Sequence, residues 1–286
     1  MLDLALSILF SSLIFVIFKL FSVYKIQTHY AIIINYVIAS SVGLCFYEGN
    51  VTFHELPQKR WFWGAFALGL LFIVVFNLMA RTSQKLGVSV ASVATKMSLV
   101  LPVLFGVLIY REHLGYIKIT GIILALIAVY FASIKKQSVA VKSSMLVLPI
   151  LVFIGSGTID TSLAYFQKEF VAPKELSLFS AFVFASAACL GIVSMLVQSI
   201  KTKPKLNPRN IAGGIALGIP NYFSIYFLLR ALQNDTLTNA TIFTINNVSI
   251  VMFSTLLGII LFKEQISQKN WIGIAIAIIS IVLVAI

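Results

Sequence analysis

The stretch Leu101–Tyr130, LPVLFGVLIYREHLGYIKITGIILALIAVY, places two apolar runs on either side of a short charged corner, residues 111–113. Nearly the same passage returns at Phe253–Val282, FSTLLGIILFKEQISQKNWIGIAIAIISIV. A shift of 152 residues aligns several pairs: Leu104 with Leu256, Gly106 with Gly258, Arg111 with Lys263, Glu112 with Glu264, Gly121 with Gly273 and Ala125 with Ala277. The chain therefore contains one unit twice, and the unit is an apolar segment, a tight polar corner and a second apolar segment.

The composition indicates a membrane protein. Hydrophobic residues make up 60% of the 286 residues and charged residues only 10%, whereas soluble domains have about 25% charged residues. The formal net charge is +12, and the basic residues lie at the ends of apolar runs. This placement favours contact with anionic lipid head groups over binding of nucleic acid.

The apolar runs predict an all-α integral membrane protein. A hydrocarbon core needs about 20 apolar residues in helical form, and none of the runs alternates as a barrel strand would. We count ten predicted transmembrane helices, at residues 2–24, 30–47, 61–80, 88–110, 114–133, 145–167, 177–199, 211–230, 238–262 and 270–286.

The repeat covers the whole chain and predicts an inverted 5+5 architecture. A shift of 149 residues aligns Gly64 with Gly213, Gly69 with Gly218, Arg81 with Arg230 and Lys19 with Lys168. We predict a first five-helix repeat at 1–136, a short connection at 137–144 and a second repeat at 145–286. Because each repeat has an odd number of spans, the second enters the bilayer from the opposite side. Secondary transporters with alternating access use this arrangement; duplication kept for packing alone is the alternative.

The two corners, Gly106–Glu112 and Gly258–Glu264, together with the 5+5 duplication, resemble the drug/metabolite transporter superfamily, in particular its ten-helix EamA-type carriers. The resemblance implies a multi-pass protein of the cell (cytoplasmic) membrane that carries small metabolites such as amino acids, often as an exporter and often driven by protons. It also implies cytoplasmic termini, whereas the larger number of basic residues in the odd-numbered connections predicts the reverse. Many relatives have an acidic residue where this chain has Leu101, immediately before Pro102.

Two charged residues are predicted near the middle of the bilayer. Lys96 lies roughly 13 Å into the fourth span and Asp160 roughly 12 Å from the end of the sixth, at 1.5 Å per residue. A charge at that depth costs about 2.5–3.5 kcal/mol on the insertion scale, so it is usually functional. We expect both to line a central cavity and to pair with each other or with a zwitterionic substrate. For Lys96 the alternative is that its side chain extends to the membrane surface.

Uncharged polar residues extend this candidate substrate-binding site. In the ninth span Thr244–Asn247 align with Ser92–Thr95, so both copies place polar groups at one depth; hydrogen bonding between helices is the alternative. In the eighth span Pro220 frees a backbone carbonyl. The further candidates are Asn77, Thr95, Asn221, Tyr222, Asn246 and Asn247.

Other function classes have little support in the sequence. An enzyme should bring acidic, histidine or serine groups together at one face, and we find no such cluster, metal motif, phosphate loop or cofactor motif, so no catalytic residue, cofactor or metal is predicted. A lipid-linked sugar flippase and a membrane protein without transport activity remain alternatives. The expected partners are the lipid bilayer and a small-molecule substrate, and the sequence leaves monomer and homodimer open.

Overall fold

The computed structural model describes residues 2–47, 49, 53–102, 104–105, 115–133, 143–201, 207–232 and 239–285. Ten helices follow one another in this part of the chain: α1 Leu2–Val23, α2 Thr28–Cys45, α3 Phe62–Leu86, α4 Val88–Met97, α5 Tyr116–Ser133, α6 Ser143–Glu169, α7 Leu176–Lys201, α8 Pro208–Leu232, α9 Asn239–Phe262 and α10 Gln268–Ala285. Two 3-10 turns, Phe53–Gln58 and Pro173–Glu175, precede α3 and α7.

The prediction of an all-α membrane protein is confirmed. Seven of the described helices are long and apolar enough to cross a membrane, and α4, α5 and α10 have shorter apolar segments. The fourth span differs from the predicted continuous helix, because its first helical segment ends at Met97. The charged corner at 111–113 and residues 137–142 of the predicted connection lie outside the described residues.

The two halves are inverted relative to each other, as the repeat predicts. Equivalent helices α5 and α10 run antiparallel, because Ser280 Oγ donates to the Gly121 carbonyl at 2.7 Å and Asn270 Nδ2 donates to the Phe131 carbonyl at 3.1 Å. Equivalent helices α2 and α7 also run antiparallel to each other. The start of α2 meets the end of α7 where His29 lies 3.1 Å from Ser194, and the opposite ends also meet.

The packing between the halves follows a pseudo-twofold axis. Helix α1 packs against α8 and α9, and its counterpart α6 packs against α3 and α4. Helix α2 packs against α8, and its counterpart α7 packs against α3. Each of these inter-half contacts therefore has a symmetry-related partner, and both halves contribute to the centre of the protein.

Glycine permits two of these close approaches. A Cβ atom on Gly69 would lie 2.7 Å from the backbone nitrogen of Ala187, and a Cβ on Gly218 would lie 2.8 Å from the Asn35 carbonyl oxygen. These two contacts are symmetry-related, since Gly69 aligns with Gly218 and α7 with α2. Small residues here let the backbones of neighbouring helices touch.

Aromatic side chains fill the core between α1, α2, α3 and α7. Phe18, Tyr36, Phe72, Phe76 and Phe184 are buried and contact one another through their rings. The Tyr36 hydroxyl donates to the Phe72 carbonyl at 2.8 Å, which satisfies its polar end inside this core.

The two membrane faces carry different contacts. We call the face where α1, α3 and α9 end the odd-connection face, and the face where α1 and α3 begin the terminal face. On the terminal face Lys59 Nζ and Trp61 Nε1 donate to the Glu175 carboxylate at 2.6 and 3.0 Å. On the odd-connection face Gln27 and Asn210 exchange two hydrogen bonds of 2.9 Å. The ionic contact on the terminal face thus corresponds to a pair of hydrogen bonds between uncharged side chains and backbone on the odd-connection face.

Candidate functional site

The fourth span is interrupted immediately after Lys96. Ser98 and Leu99 form a turn, and helical backbone resumes at Val100. The Leu99 N–H donates to the Lys96 carbonyl at 3.4 Å and the Leu101 N–H donates to the Ser98 carbonyl at 2.9 Å, both across three residues. Pro102 has no N–H to continue the α-helical ladder, which accounts for the tighter turn. The break places Lys96 and Ser98 where the backbone is irregular.

Lys96 and Asp160 come from different halves of the protein, and their helices, α4 and α6, pack against each other. The Ser98 hydroxyl lies 3.4 Å from Asp160 Oδ2 and 2.5 Å from the Thr95 carbonyl. Since the hydroxyl has one hydrogen, it donates to only one of these acceptors at a time and can exchange between them.

Asp160 points away from the lipid. The exposed apolar residues Val147, Ile150, Leu151 and Ile154 mark the lipid-facing side of α6. At 100° per residue, Asp160 lies about 220° around the helix from Val147. That side of α6 is otherwise packed against protein, yet Asp160 itself is exposed. Asp160 is therefore exposed on the protein-facing side of α6 rather than toward acyl chains.

Asp160 and Lys96 both lie at mid-depth. Asp160 is nine residues from the end of α6 at Glu169, about 14 Å along the helix, and Lys96 is eight residues from the start of α4 at Val88, about 12 Å. Ser156 lies one turn from Asp160 on the same side of α6. Its hydroxyl is buried and has no hydrogen-bond partner in the described part of the chain, so a polar ligand here would find a free donor and acceptor.

Asn221 and Asn246 belong to a second polar cluster, formed by α1, α2, α8 and α9. Asn221 Nδ2 donates to Asn35 Oδ1 at 3.1 Å, and the Ser224 hydroxyl donates to the Asn221 carbonyl at 2.8 Å. The Ser7 hydroxyl lies 3.0 Å from the Ser224 carbonyl and 3.3 Å from Asn246 Oδ1. The cluster joins both halves, and all five side chains are buried.

The remaining predicted site residues have separate surroundings. Tyr222 is buried in an aromatic group with Phe46 and Tyr226, and Asn247 is buried in α9. The Thr95 hydroxyl donates to the Ala91 carbonyl one turn back at 2.9 Å, and the Thr95 carbonyl accepts the hydrogen bond from the Ser98 hydroxyl.

Asn77 faces the start of α2. Its side-chain nitrogen donates to the Ile73 carbonyl at 2.7 Å, and its side chain also interacts with His29. Thr244, which extended the predicted polar stretch of the ninth span, has a side chain outside the described part of the chain.

Sequence reasoning did not identify the serines that complete the two clusters. Ser98 could have been found from its place between Lys96 and Pro102, and Ser156 from its spacing of four residues before Asp160. Ser7 and Asn35 carry no such signal, because their partners are more than 180 residues away. Among the described residues, no group of three or more His, Cys, Asp or Glu could hold a metal ion.

Comparison with known proteins gives the family. The sequence profile described as "EamA-like transporter family" matches residues 2–134 and again residues 145–286. An uncharacterized protein of Haemophilus influenzae is 32% identical over 211 residues, which cover 73% of this chain and 70% of that protein. A solved crystal structure with 16% sequence identity superimposes with a TM-score of 0.58 over 99% of this chain and 94% of the other; this likeness concerns the fold alone.

Proposed function

Because this chain belongs to the EamA-like transporter family, we propose that it is a secondary transporter that exports small polar metabolites such as amino acids across the cytoplasmic membrane. The solute binds at mid-depth between the two repeats, and the site opens to each side in turn. The observation that carries the proposal is that each half places one charged residue at mid-depth, Lys96 on α4 and Asp160 on α6, and that these two helices pack against each other.

The pair favours a solute that bears both charges. A carboxylate of the solute would bind the Lys96 ammonium, and an ammonium of the solute would bind the Asp160 carboxylate. The hydroxyls of Ser98 and Ser156 lie beside Asp160 and would provide hydrogen bonds. A zwitterion would thereby give each of these two charges a partner of opposite sign in a region of low dielectric constant.

Counterflow in proteoliposomes tests the proposal. Vesicles loaded with one member of a panel of amino acids, amines and sugars are diluted into the same labelled solute, with and without a pH gradient. We expect transient accumulation of zwitterionic solutes, and strong loss of it in Asp160→Ala, Asp160→Leu, Lys96→Ala and Lys96→Leu. Asp3→Asn, which removes a carboxylate paired with Arg230 on the terminal face, is the matched control and should retain counterflow.

Two results would overturn the proposal. One is full counterflow in both the Lys96 and the Asp160 variants with normal membrane insertion. The other is the absence of counterflow for every soluble solute together with movement of a lipid-linked sugar between leaflets, which would identify a flippase.

A further inference from the structure

The second corner, Gly258–Glu264, closes α9 in a specific way. The Glu264 N–H donates to the Gly258 carbonyl at 3.2 Å across six residues, and Lys263 has a left-handed backbone with φ of 51°. A left-handed residue ends many helices in this way, although the hydrogen bond here reaches one residue further back than usual, and the turn brings the Glu264 side chain back over the end of α9. A Cβ on Gly258 would lie 2.8 Å from Glu264 Oε2, so glycine leaves room for the carboxylate.

The Glu264 carboxylate crosses to the other half of the protein. Its Oε1 accepts the Val88 N–H at 2.9 Å and its Oε2 accepts the Ser89 hydroxyl at 3.1 Å. The first N–H groups of a helix have no partner within the helix, and a carboxylate there also interacts favourably with the helix dipole. Glu264 thus caps α4 of the first repeat from a position in the second repeat.

Two further contacts surround the cap. Gly87 has φ of 117°, and a Cβ there would lie 3.0 Å from Glu264 Oε1. Lys19 Nζ lies 3.9 Å from Glu264 Oε1 and donates to the Gln84 carbonyl at 3.3 Å. The ends of α1, α3 and α9 and the start of α4 therefore meet at one carboxylate on the odd-connection face, and the Glu264 side chain is only 12% exposed.

We propose that Glu264 is a positioning residue of the transport cycle, a latch that holds α4 against α9 and keeps the odd-connection face closed in this conformation. This inference rests on the proposed alternating access, because only a carrier has to separate α4 from α9 at this face. Lys96 lies eight residues beyond Val88 on the same helix, so release of the cap would move the residue that binds the solute.

Cysteine accessibility tests the latch without any solute. The reporter is Ser92→Cys, one turn beyond the cap toward Lys96 and fully buried in this structure. It is placed in a background in which Cys45 and Cys189, both exposed, are changed to alanine. A membrane-impermeant maleimide is applied to right-side-out and to inside-out vesicles, so that each face is probed separately.

We expect faster labelling of Ser92→Cys from the odd-connection face when the latch is weakened. The rate should rise in the order Glu264 unchanged, Glu264→Gln and Glu264→Ala, with about a tenfold increase or more for alanine because charge-assisted hydrogen bonds are lost. Lys19→Met, which keeps the carboxylate, should give a smaller increase. Asp3→Asn on the terminal face should leave the rate from the odd-connection face unchanged.

Unchanged labelling in a folded Glu264→Ala protein would overturn the latch. If that variant does not fold, the test uses the isosteric Glu264→Gln together with Lys19→Met. Unchanged labelling in both of these variants would then contradict the latch. The outcome is separable from the proposed function. Increased labelling without counterflow would support the latch and contradict transport of the solutes in the panel. Counterflow with unchanged labelling would support transport and contradict the latch.

Discussion

Asn221 donates a side-chain hydrogen bond of 3.1 Å to Asn35 between α8 and α2. The residues at the same two positions of the other half are Phe72 and Phe184, whose rings pack edge to face with centroids 5.7 Å apart. The charged pair is asymmetric in the same way, since Lys96 aligns with Val248 and Asp160 with Ser11. The repeat conserves the path of the backbone, and each half has specialised its interior.

Removal of Asn221 should destabilise the protein because the buried side-chain oxygen of Asn35 loses the donor of its hydrogen bond. We expect Asn221→Ala to lower the free energy of unfolding by about 0.6–2 kcal/mol, the range of interhelical hydrogen bonds in membranes. Thermal unfolding in detergent measures the change. The double variant Asn35→Leu with Asn221→Leu should lose less than the sum of the two single leucine variants, as the aromatic pair in the other half suggests. Strict additivity would contradict the coupling.

A methyl group on Gly218 should force α8 away from α2. The Cβ of Gly218→Ala would lie 2.8 Å from the Asn35 carbonyl oxygen, which belongs to the backbone and cannot turn aside. We expect a loss of about 1–3 kcal/mol in the free energy of unfolding, and a similar loss for Gly69→Ala. Gly115→Ala is the control, because a Cβ there has no neighbour within 4 Å. Equal thermal stability of all three variants would refute this account of the packing.

Lys96 and Asp160 should stabilise the fold as a coupled pair. Each single alanine variant leaves one charge without its partner at mid-depth, whereas the double variant leaves none. We expect the double variant to be more stable than the two single losses predict, with a coupling energy of about 0.5–3 kcal/mol. Denaturant unfolding of the four proteins in detergent provides the cycle. A coupling energy of zero would show that the two charges do not interact.

The contact on the terminal face should make stability depend on pH. The hydrogen bond from Lys59 lowers the pKa of the Glu175 carboxyl, and the bond from Trp61 adds to this effect; the bond to Glu175 likewise raises the pKa of Lys59. A lowered carboxyl pKa gives stability that is present above the unfolded value, about 4.3, and is lost as the pH falls through the folded value. A raised lysine pKa gives stability that is present below about 10.4 and is lost at higher pH.

The difference in melting temperature between wild type and Glu175→Gln should therefore be greatest between these limits and should vanish as the pH falls below the folded pKa of Glu175. It should be modest, because the side chains of Lys59 and Glu175 are 28% and 18% exposed. Asn210→Ala, which removes the equivalent neutral contact with Gln27, is the matched control. Its difference from wild type should stay constant with pH. A constant difference for Glu175→Gln would exclude an ionic contribution.

Much of the fold could be predicted from apolar length and the internal repeat. Apolar length is a local property of the sequence, and the repeat is found by comparing the sequence with itself. Nine of the ten described helices therefore follow the predicted spans closely. The fourth span shows the limit. Its apolar run suggested one helix from 88 to 110, whereas the absent N–H of Pro102 and the tight turn at Ser98 end the first segment at Met97.

The site could be predicted only in part. The expectation that Lys96 and Asp160 pair was based on their similar depth in the bilayer, which follows from counting residues along each predicted span. The rotation of each helix about its axis decides which polar groups meet, and single-sequence spacing does not supply it. Asn77 interacts with His29, and Asn221 donates to Asn35, contacts that the sequence did not indicate. That Lys96, Asp160 and their neighbours bind a substrate stays a prediction.

The division of charge between the repeats bears on how such a protein could arise. A half-length ancestor that paired with an identical copy in opposite orientation would place matching residues on both sides of its axis. Built from the first repeat alone, it would hold a lysine at each Lys96 position and a serine facing it, with no carboxylate. The ammonium and the carboxylate could meet only after duplication of the gene allowed the two copies to diverge.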